Sequence, residues 1–385
     1  MKIVKINIYN ILLSFSGDFS HSLKKGSSAN NIVVEIIANQ GEIKGYGEGA
    51  PRLYVTGESQ KSATKSISHF LKKDSFPWEL NDVSRIWDFV DNLPNGKEHN
   101  SAICALEMSL LDALSKSQNK SITDYFPKDF YTILINYGAT IPLSNKERIM
   151  EICGLIKKMR INKLRLKMGQ DFKQNKEVIE TVRLMFGDDY NLRIDLNGSW
   201  DHEIASNHVS LIKKYDVKVV EQPMIPGDPG LTEFAKIMQN YGVILMADES
   251  ACSLEDLEGI IKDGNYKMIN IRLSKCGGFR RSLRIIDNLR MNGISFQIGC
   301  QLGESGILSA AGRALSLLCR DAVYYDGSYD RFMLKENITT QDVSFGPGGE
   351  AGPLDGYGLG VKINRENLLH LSNGYPSLSI SNPLS

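Results

Sequence analysis

Five residues of the chain have the types and the spacing of a catalytic set. Lys167 closes KLRLK, Asp195 closes NLRID, Glu221 closes VKVVE, Asp248 closes VILMAD and Lys275 follows MINIRLS, at steps of 28, 26, 27 and 27 residues. Three carboxylates brought together repel one another unless a cation neutralises them, and hard oxygen donors with open positions suit Mg²⁺. Asn197, two residues past Asp195, is a further ligand or a supporting partner. A divalent cation between two lysines suits removal of a proton next to a carboxylate, where the enediolate that forms is doubly charged. The lysine that acts as base must be neutral. Arg165 shares the strand face of Lys167, since side chains repeat every two residues, and its charge together with Mg²⁺ lowers the lysine pKa. Two lysines on opposite sides take a proton from one face and return it to the other, which is racemisation or epimerisation. Any one acid or lysine at a strand end is as readily a solvated loop residue. Five in the order lysine, acid, acid, acid, lysine are the specific signal.

The common step is the length of one strand, one helix and two short loops. From Thr132 onward the chain alternates in that way, with TILINYG, KLRLK, NLRID, VKVVE, VILMA, MINIRL, ISFQIG and AVYYD as eight strand candidates and helical patterns between them. Eight βα units imply a modified TIM (β/α)8-type barrel, an α/β fold whose reactive groups sit at the C-terminal ends of the strands. Lys167 and Lys275 then end strands two and six and face each other across the mouth. Before the barrel, KIVKINIYNILL, NNIVVEIIAN and GEIKGYGEGAP read as an antiparallel sheet. SQKSATKSISHFLKK and NSAICALEMSLLDALSKSQ after them read as helices. The expected organisation is an α+β capping domain over residues 1–125, a barrel over 126–335 and a tail over 336–385 that returns to the cap.

Bulk properties narrow the partners. Lys plus Arg (45) equals Asp plus Glu (45), so no overall basic field draws the chain to nucleic acid or to an anionic membrane. No stretch reaches the roughly 18 uncharged apolar residues of a membrane span. Lys5, Asn7 and Asn10 interrupt the apolar start, which reads as a strand rather than a signal peptide. Six scattered cysteines without a CxxC pair read as free thiols, and the cytoplasm is the expected location. A homo-oligomer stays open. The histidines lack zinc spacing, and GYGEG and GYGLG read as sheet turns rather than phosphate loops. Cys276, next to Lys275, reads as a buried structural thiol.

The motifs RLKMG, RIDLNGSW, VVEQP, MADES and INIRLSKCGG, with GYGEGAP and VTGES before them and FGPGG and GYGLGV after, resemble those of the enolase superfamily, in its muconate-lactonising subgroup. That superfamily is itself the standard example of a lysine base acting with Mg²⁺ on an enediolate, so this chemistry comes with the resemblance. The resemblance implies Asp195, Glu221 and Asp248 as ligands of Mg²⁺, with Mn²⁺ as an alternative, and Lys167 and Lys275 as general acid and base. It also implies cap loops that close over the mouth and help choose a small-molecule carboxylate substrate. Phe19, His21 and Thr56 are the candidates there, and Glu249 is a candidate supporting residue that hydrogen-bonds Lys275.

Three positions depart from the subgroup's pattern. Arg165 stands where a lysine is usual, which keeps the charge and changes the donor geometry. Glu304 falls five residues after Gly299 rather than four. Asp326 and Ser328 stand where dipeptide epimerases carry an Asp-x-Asp that holds the substrate ammonium. The function expected is Mg²⁺-dependent proton abstraction with racemisation or epimerisation of an amino-acid derivative, a dipeptide or a related carboxylate. The alternative is a lyase or cycloisomerase on the same site, and a non-catalytic carboxylate-binding barrel is a third reading.

Overall fold

The computed structural model describes every residue except Ser22, Leu23, Asp189, Leu384 and Ser385, and every side chain outside residues 17–25. Strands β1 (Ile3–His21), β2 (Lys24–Ala38) and β3 (Ile43–Gly49) form an antiparallel meander. Its alternating apolar residues, such as Ile6, Ile8, Ile11 and Val34, are buried. The helix Asn100–Ser117 lies on β3 and is buried almost throughout. GYGEG is therefore strand, not turn. A Cβ on Gly47 would stand 2.1 Å from the Ala105 carbonyl and one on Gly49 2.3 Å from that of Ser101, so only glycine admits a helix this close.

After that helix, β4 (Ile135–Asn136) leads into the barrel strands β5 (Ala139–Ile141), β6 (Lys163–Lys167), β7 (Asn191–Asp195), β8 (Val219–Glu221), β9 (Ile244–Ala247), β10 (Met268–Ile271), β11 (Ser295–Ile298) and β12 (Tyr324–Tyr325). These eight form one sheet in sequence order, and every ladder is parallel. Among the described residues no ladder joins β12 to β5, and a backbone bond from Gly138 N–H to the Tyr325 carbonyl at 2.8 Å spans the seam. The first barrel strand is ATI rather than TILINYG. Ile133 and Leu134 are exposed, and β4 pairs instead with β13 (Glu350–Ala351). Finally β14 (Leu378–Ser381) adds to the outer edge of β1, which ties the end of the chain to the meander.

Among the described residues, side-chain caps start five of the eight helices that link the barrel strands. Asn145, Asp171, Asp201, Ser253 and Ser305 each accept a backbone N–H of the first turn, at about 1 kcal/mol apiece. The caps fix where each strand end gives way to helix, and so where the mouth lies. Among the described residues no long helix follows β12. The chain makes only the single turn Asp330–Met333 and then leaves for β13. No helix of the described residues is long and apolar enough to cross a membrane.

Candidate active site

Strand periodicity delivers the polar side chains of the mouth. Arg165 and Lys167, then Arg193 and Asp195, then Asn270 and Arg272 are pairs two apart on the inward face. Register sets Lys167 beside Asp195 and Asp195 beside Glu221 on neighbouring strands. Below them the barrel interior holds Arg193, which bonds Gln297 and both oxygens of Asp326 and lies 4.1 Å over the Tyr324 ring.

Cations pair each of the three acids. Lys167 Nζ lies 2.6 Å from Asp195 Oδ2 and 2.7 Å from Asn197 Oδ1. Arg165 Nη1 reaches Glu221 Oε2 at 3.2 Å and Asp195 Oδ2 at 3.6 Å, while its Nε lies 3.4 Å from Asp326 Oδ2. Arg272 bonds Asp248 directly and lies 3.7 Å from Glu221, and Asn270 Nδ2 donates to Glu221 Oε1 at 2.7 Å. Lys275 Nζ donates to the Asp248 carbonyl at 2.7 Å, to Asp248 Oδ1 at 3.1 Å and to the Asn270 carbonyl at 2.6 Å.

Burial works against every one of these charges, and the pairing decides the sign. For Asp195 it is outweighed by Lys167 and Arg165, and for Asp248 by Arg272 and Lys275, so both carboxyls lie below their ordinary range. Glu221 differs. Burial, followed by the Asp195 charge, pushes it up to about 6. Burial and the Asp248 charge push Glu249 up to about 7. Burial also disfavours the Lys275 ammonium, but Asp248 outweighs it and raises the pKa.

A cavity of about 350 Å³ opens over this mouth, with Lys167, Asn197, Glu249, Arg272 and Glu304 in its walls. Asn197, at φ +47°, bridges two of them: it accepts from Lys167 and donates Nδ2 to Glu249 Oε1 at 3.0 Å. The expected bond from Glu249 to Lys275 is not made, and Glu249 Oε2 is buried with no hydrogen-bond partner. Glu304 faces the cavity, accepts the Gln301 N–H at 2.6 Å and is pushed up by burial to about 8. Ser328 lies in the wall and accepts from Arg313 at 3.2 Å. Asp326 does not reach the cavity, because Arg193 and Arg165 hold its carboxylate inside the barrel.

Two placements correct the expectations. Lys275 does not stand on a strand end. The chain turns into the one-turn helix Leu273–Cys276, which stops at Gly277 and Gly278, both at positive φ. A Cβ on Gly278 would stand 1.9 Å from Glu107 Oε2. Cys276 is buried as expected, though on a helical turn rather than a strand. Thr56 turns away from the mouth and donates to Glu58 Oε2 at 2.8 Å, since Glu58 needs partners where it accepts the Ser101 N–H at the start of the long cap helix. Tyr54 lines the cavity in its place. The side chains of Phe19 and His21 lie outside those described. Sequence reasoning passed over Arg272, although its inward face follows from Asn270 by the two-residue period.

The cap grips the loops after β11 and β12. Arg52 Nη2 donates to the Leu302 carbonyl at 2.6 Å, Asn31 Nδ2 to that of Gly303 at 2.8 Å, and the Lys335 N–H to that of Ser14 at 2.9 Å.

A family model described as enolase C-terminal domain-like matches residues 150–367, more than half of the chain. The chain belongs to this family. Among curated relatives of this enolase-like chain, the N-succinyl-L-Arg/Lys racemase of Bacillus cereus is 27% identical over 317 residues, which cover 81% of the chain and 83% of the relative. The hydrophobic dipeptide epimerase of Enterococcus faecalis is 26% identical over 96% of the chain and 97% of its own length. The crystal structure of the same Bacillus cereus racemase superposes with a TM-score of 0.85 at 25% identity, over 99% of this chain and all of that one. The dipeptide epimerase of Cytophaga hutchinsonii, solved with Mg and the dipeptide D-Ala-L-Val, gives a TM-score of 0.83 at 25% identity over the same shares. These enolase-like relatives are racemases and epimerases, which makes isomerase chemistry the shared property.

Proposed function

We propose that the chain is a Mg²⁺-dependent isomerase that takes a proton from the carbon next to a carboxylate of an amino-acid derivative and returns it on the opposite face. The observation that carries this reading is Lys167, whose ammonium stands in the wall of the cavity, 14% exposed, between Asp195 and Asn197. The side chains that would hold Mg²⁺, or Mn²⁺ in its place, are Asp195, Glu221 and Asp248. Their fit rests on donor chemistry: hard oxygens from three successive barrel segments, with Glu221 raised by its acidic neighbour and Glu249 Oε2 left unbonded beside them. As the side chains stand, no group of three or more His, Cys, Asp or Glu among the described residues is disposed to hold a metal ion. Guanidinium groups fill that role here, and the Asp248 oxygen that accepts from Arg272 is closed to a cation while the pair lasts. A bound divalent cation supplies charge stabilisation for the enediolate.

The protein's own groups supply the rest. Lys167 takes or gives the proton on the cavity side, and Arg165 and Arg272 set a positive field over the place where the substrate carboxylate gains charge. Lys275 serves the other face, which requires it to give up its bonds to Asp248. The supporting test is stereochemical. Lys275→Ala should lose deuterium uptake from D₂O with one enantiomer of an acylamino acid and keep it with the other. Uptake unchanged with both enantiomers would overturn the two-base scheme, and a product of changed formula would point to elimination.

A further inference from the structure

We infer that the substrate carries a long apolar N-acyl chain, which lies in a slot beside the barrel where an eighth helix would stand. The inference rests on the proposed function and narrows its substrate class.

The cavity that holds Lys167 and Arg272 does not end at the mouth. Its lining also includes Thr140 and Tyr329, a first apolar wall of Ile152, Ile156 and Met159, and a second of Phe332, Met333 and Phe345. The first wall belongs to the helix Lys146–Lys158, which follows β5, together with the turn just after it. The second belongs to the segment after β12. In a barrel with eight long helices, a helix after β12 would pack between these walls. Here the chain spends one turn, Asp330–Met333, and the Phe332 and Phe345 rings line the cavity there. Phe345 packs on Tyr329 at 6.0 Å and on Phe332 at 5.7 Å between ring centres.

The chemistry of the slot selects its occupant. Most of its polar neighbours are already engaged: Thr140 Oγ1 accepts from Arg165 at 3.1 Å, Tyr329 Oη donates to the Gly138 carbonyl at 2.8 Å, and Arg148 at the rim pairs with Glu151 at 2.8 Å, while Asp330, whose Oδ1 has no partner, is pushed by burial toward its neutral form. No free charge among these groups calls for an anionic end to the chain. Open apolar walls joined to a charged site suit a molecule with a carboxylate head and an aliphatic arm. The Asp-x-Asp positions agree, because Ser328 brings no carboxylate there and Arg193 and Arg165 sequester Asp326, whereas an acylated nitrogen needs no counter-charge.

The experiment uses N-acetyl-, N-hexanoyl- and N-decanoylalanine with the Mg²⁺-loaded full chain, and measures both deuterium uptake at Cα and binding by calorimetry. Each methylene that enters the slot should lower KM and Kd by up to about fourfold. A fall on the order of 10- to 100-fold is therefore expected between the acetyl and hexanoyl compounds. Ile152→Trp should cancel that gain. Leu155→Glu, at a position 60% exposed and in the same wall, should do so without disturbing the core. Uptake that is independent of chain length overturns the slot and leaves the proposed reaction standing. Chain-length-dependent binding without uptake overturns the reaction and leaves the slot. Neither binding nor uptake overturns both.

Discussion

Lys167 and Lys275 belong to segments four strands apart in one sheet, and they differ in what surrounds them. Lys167 ends β6, makes two hydrogen bonds and is 14% exposed at the cavity wall. Lys275 sits on a helical turn, makes three and is fully buried. Among the described residues, the first lysine's hydrogen-bond partners are one side-chain carboxylate and one amide. The other is a buried ammonium that also serves the structure. As the two bases of the proposed reaction, they need not be equally poised. In this conformation the step at the second face carries the added cost of releasing Lys275 from Asp248.

Truncation separates these roles most sharply. Lys167→Ala should lower the rate of deuterium uptake by about 10³-fold, within the range for a lost general base, with little change in Tm because Asp195 keeps Arg165. Lys275→Ala should add a stability loss of about 3 kcal/mol, since its ammonium is fully buried and its loss takes a donor from Asp248 Oδ1 and from the buried carbonyls of Asp248 and Asn270. Thermal unfolding of both variants without metal checks the contrast. Equal losses would mean that the burial of Lys275 has no energetic consequence.

The row of strand ends was legible because a parallel barrel repeats one unit, and each repeat puts an apolar run before its reactive residue. β6, β7 and β8 end on Lys167, Asp195 and Glu221 as that pattern has it, although β8 starts at Val219 rather than Val217. The turn at Leu273–Cys276 was not legible, because its stop depends on Gly278 meeting Glu107 from a helix far away in sequence. Thr56 failed for the same reason: its partner Glu58 is fixed by the start of the cap helix, a contact that no local pattern encodes. The start of the barrel slipped because two apolar runs adjoin. Only the pairing of β4 with β13 decides which run enters the sheet.

Arg272 offers a finer test of the closed side. Its guanidinium and a divalent cation compete for Asp248, so Arg272→Gln should tighten Mg²⁺ binding by about tenfold in calorimetry while it lowers Tm without metal. Unchanged affinity would show that the pair opens at no cost when metal arrives.

The smallest effect lies behind the Lys275 turn. Glu107 accepts the N–H groups of Phe279 and Arg280 at the start of the helix Phe279–Met291, and burial, only partly opposed by those donors, pushes its pKa from 4.5 up to about 8. Between those values the folded chain holds a proton that the unfolded chain has released. Stability therefore falls as pH rises through this window and levels off above about 8. Glu107→Gln keeps one acceptor and cannot titrate. It should flatten the fall between pH 7 and 8 by about 1 kcal/mol, as read from urea unfolding at several pH values. Glu304, raised to a similar value on the open side, retains its own slope in this variant. A residual pH dependence that disappears in Glu304→Gln but not in Glu107→Gln would place the titration on the cavity side. The turn that carries Lys275 would then be held by a carboxylate already ionised at neutral pH.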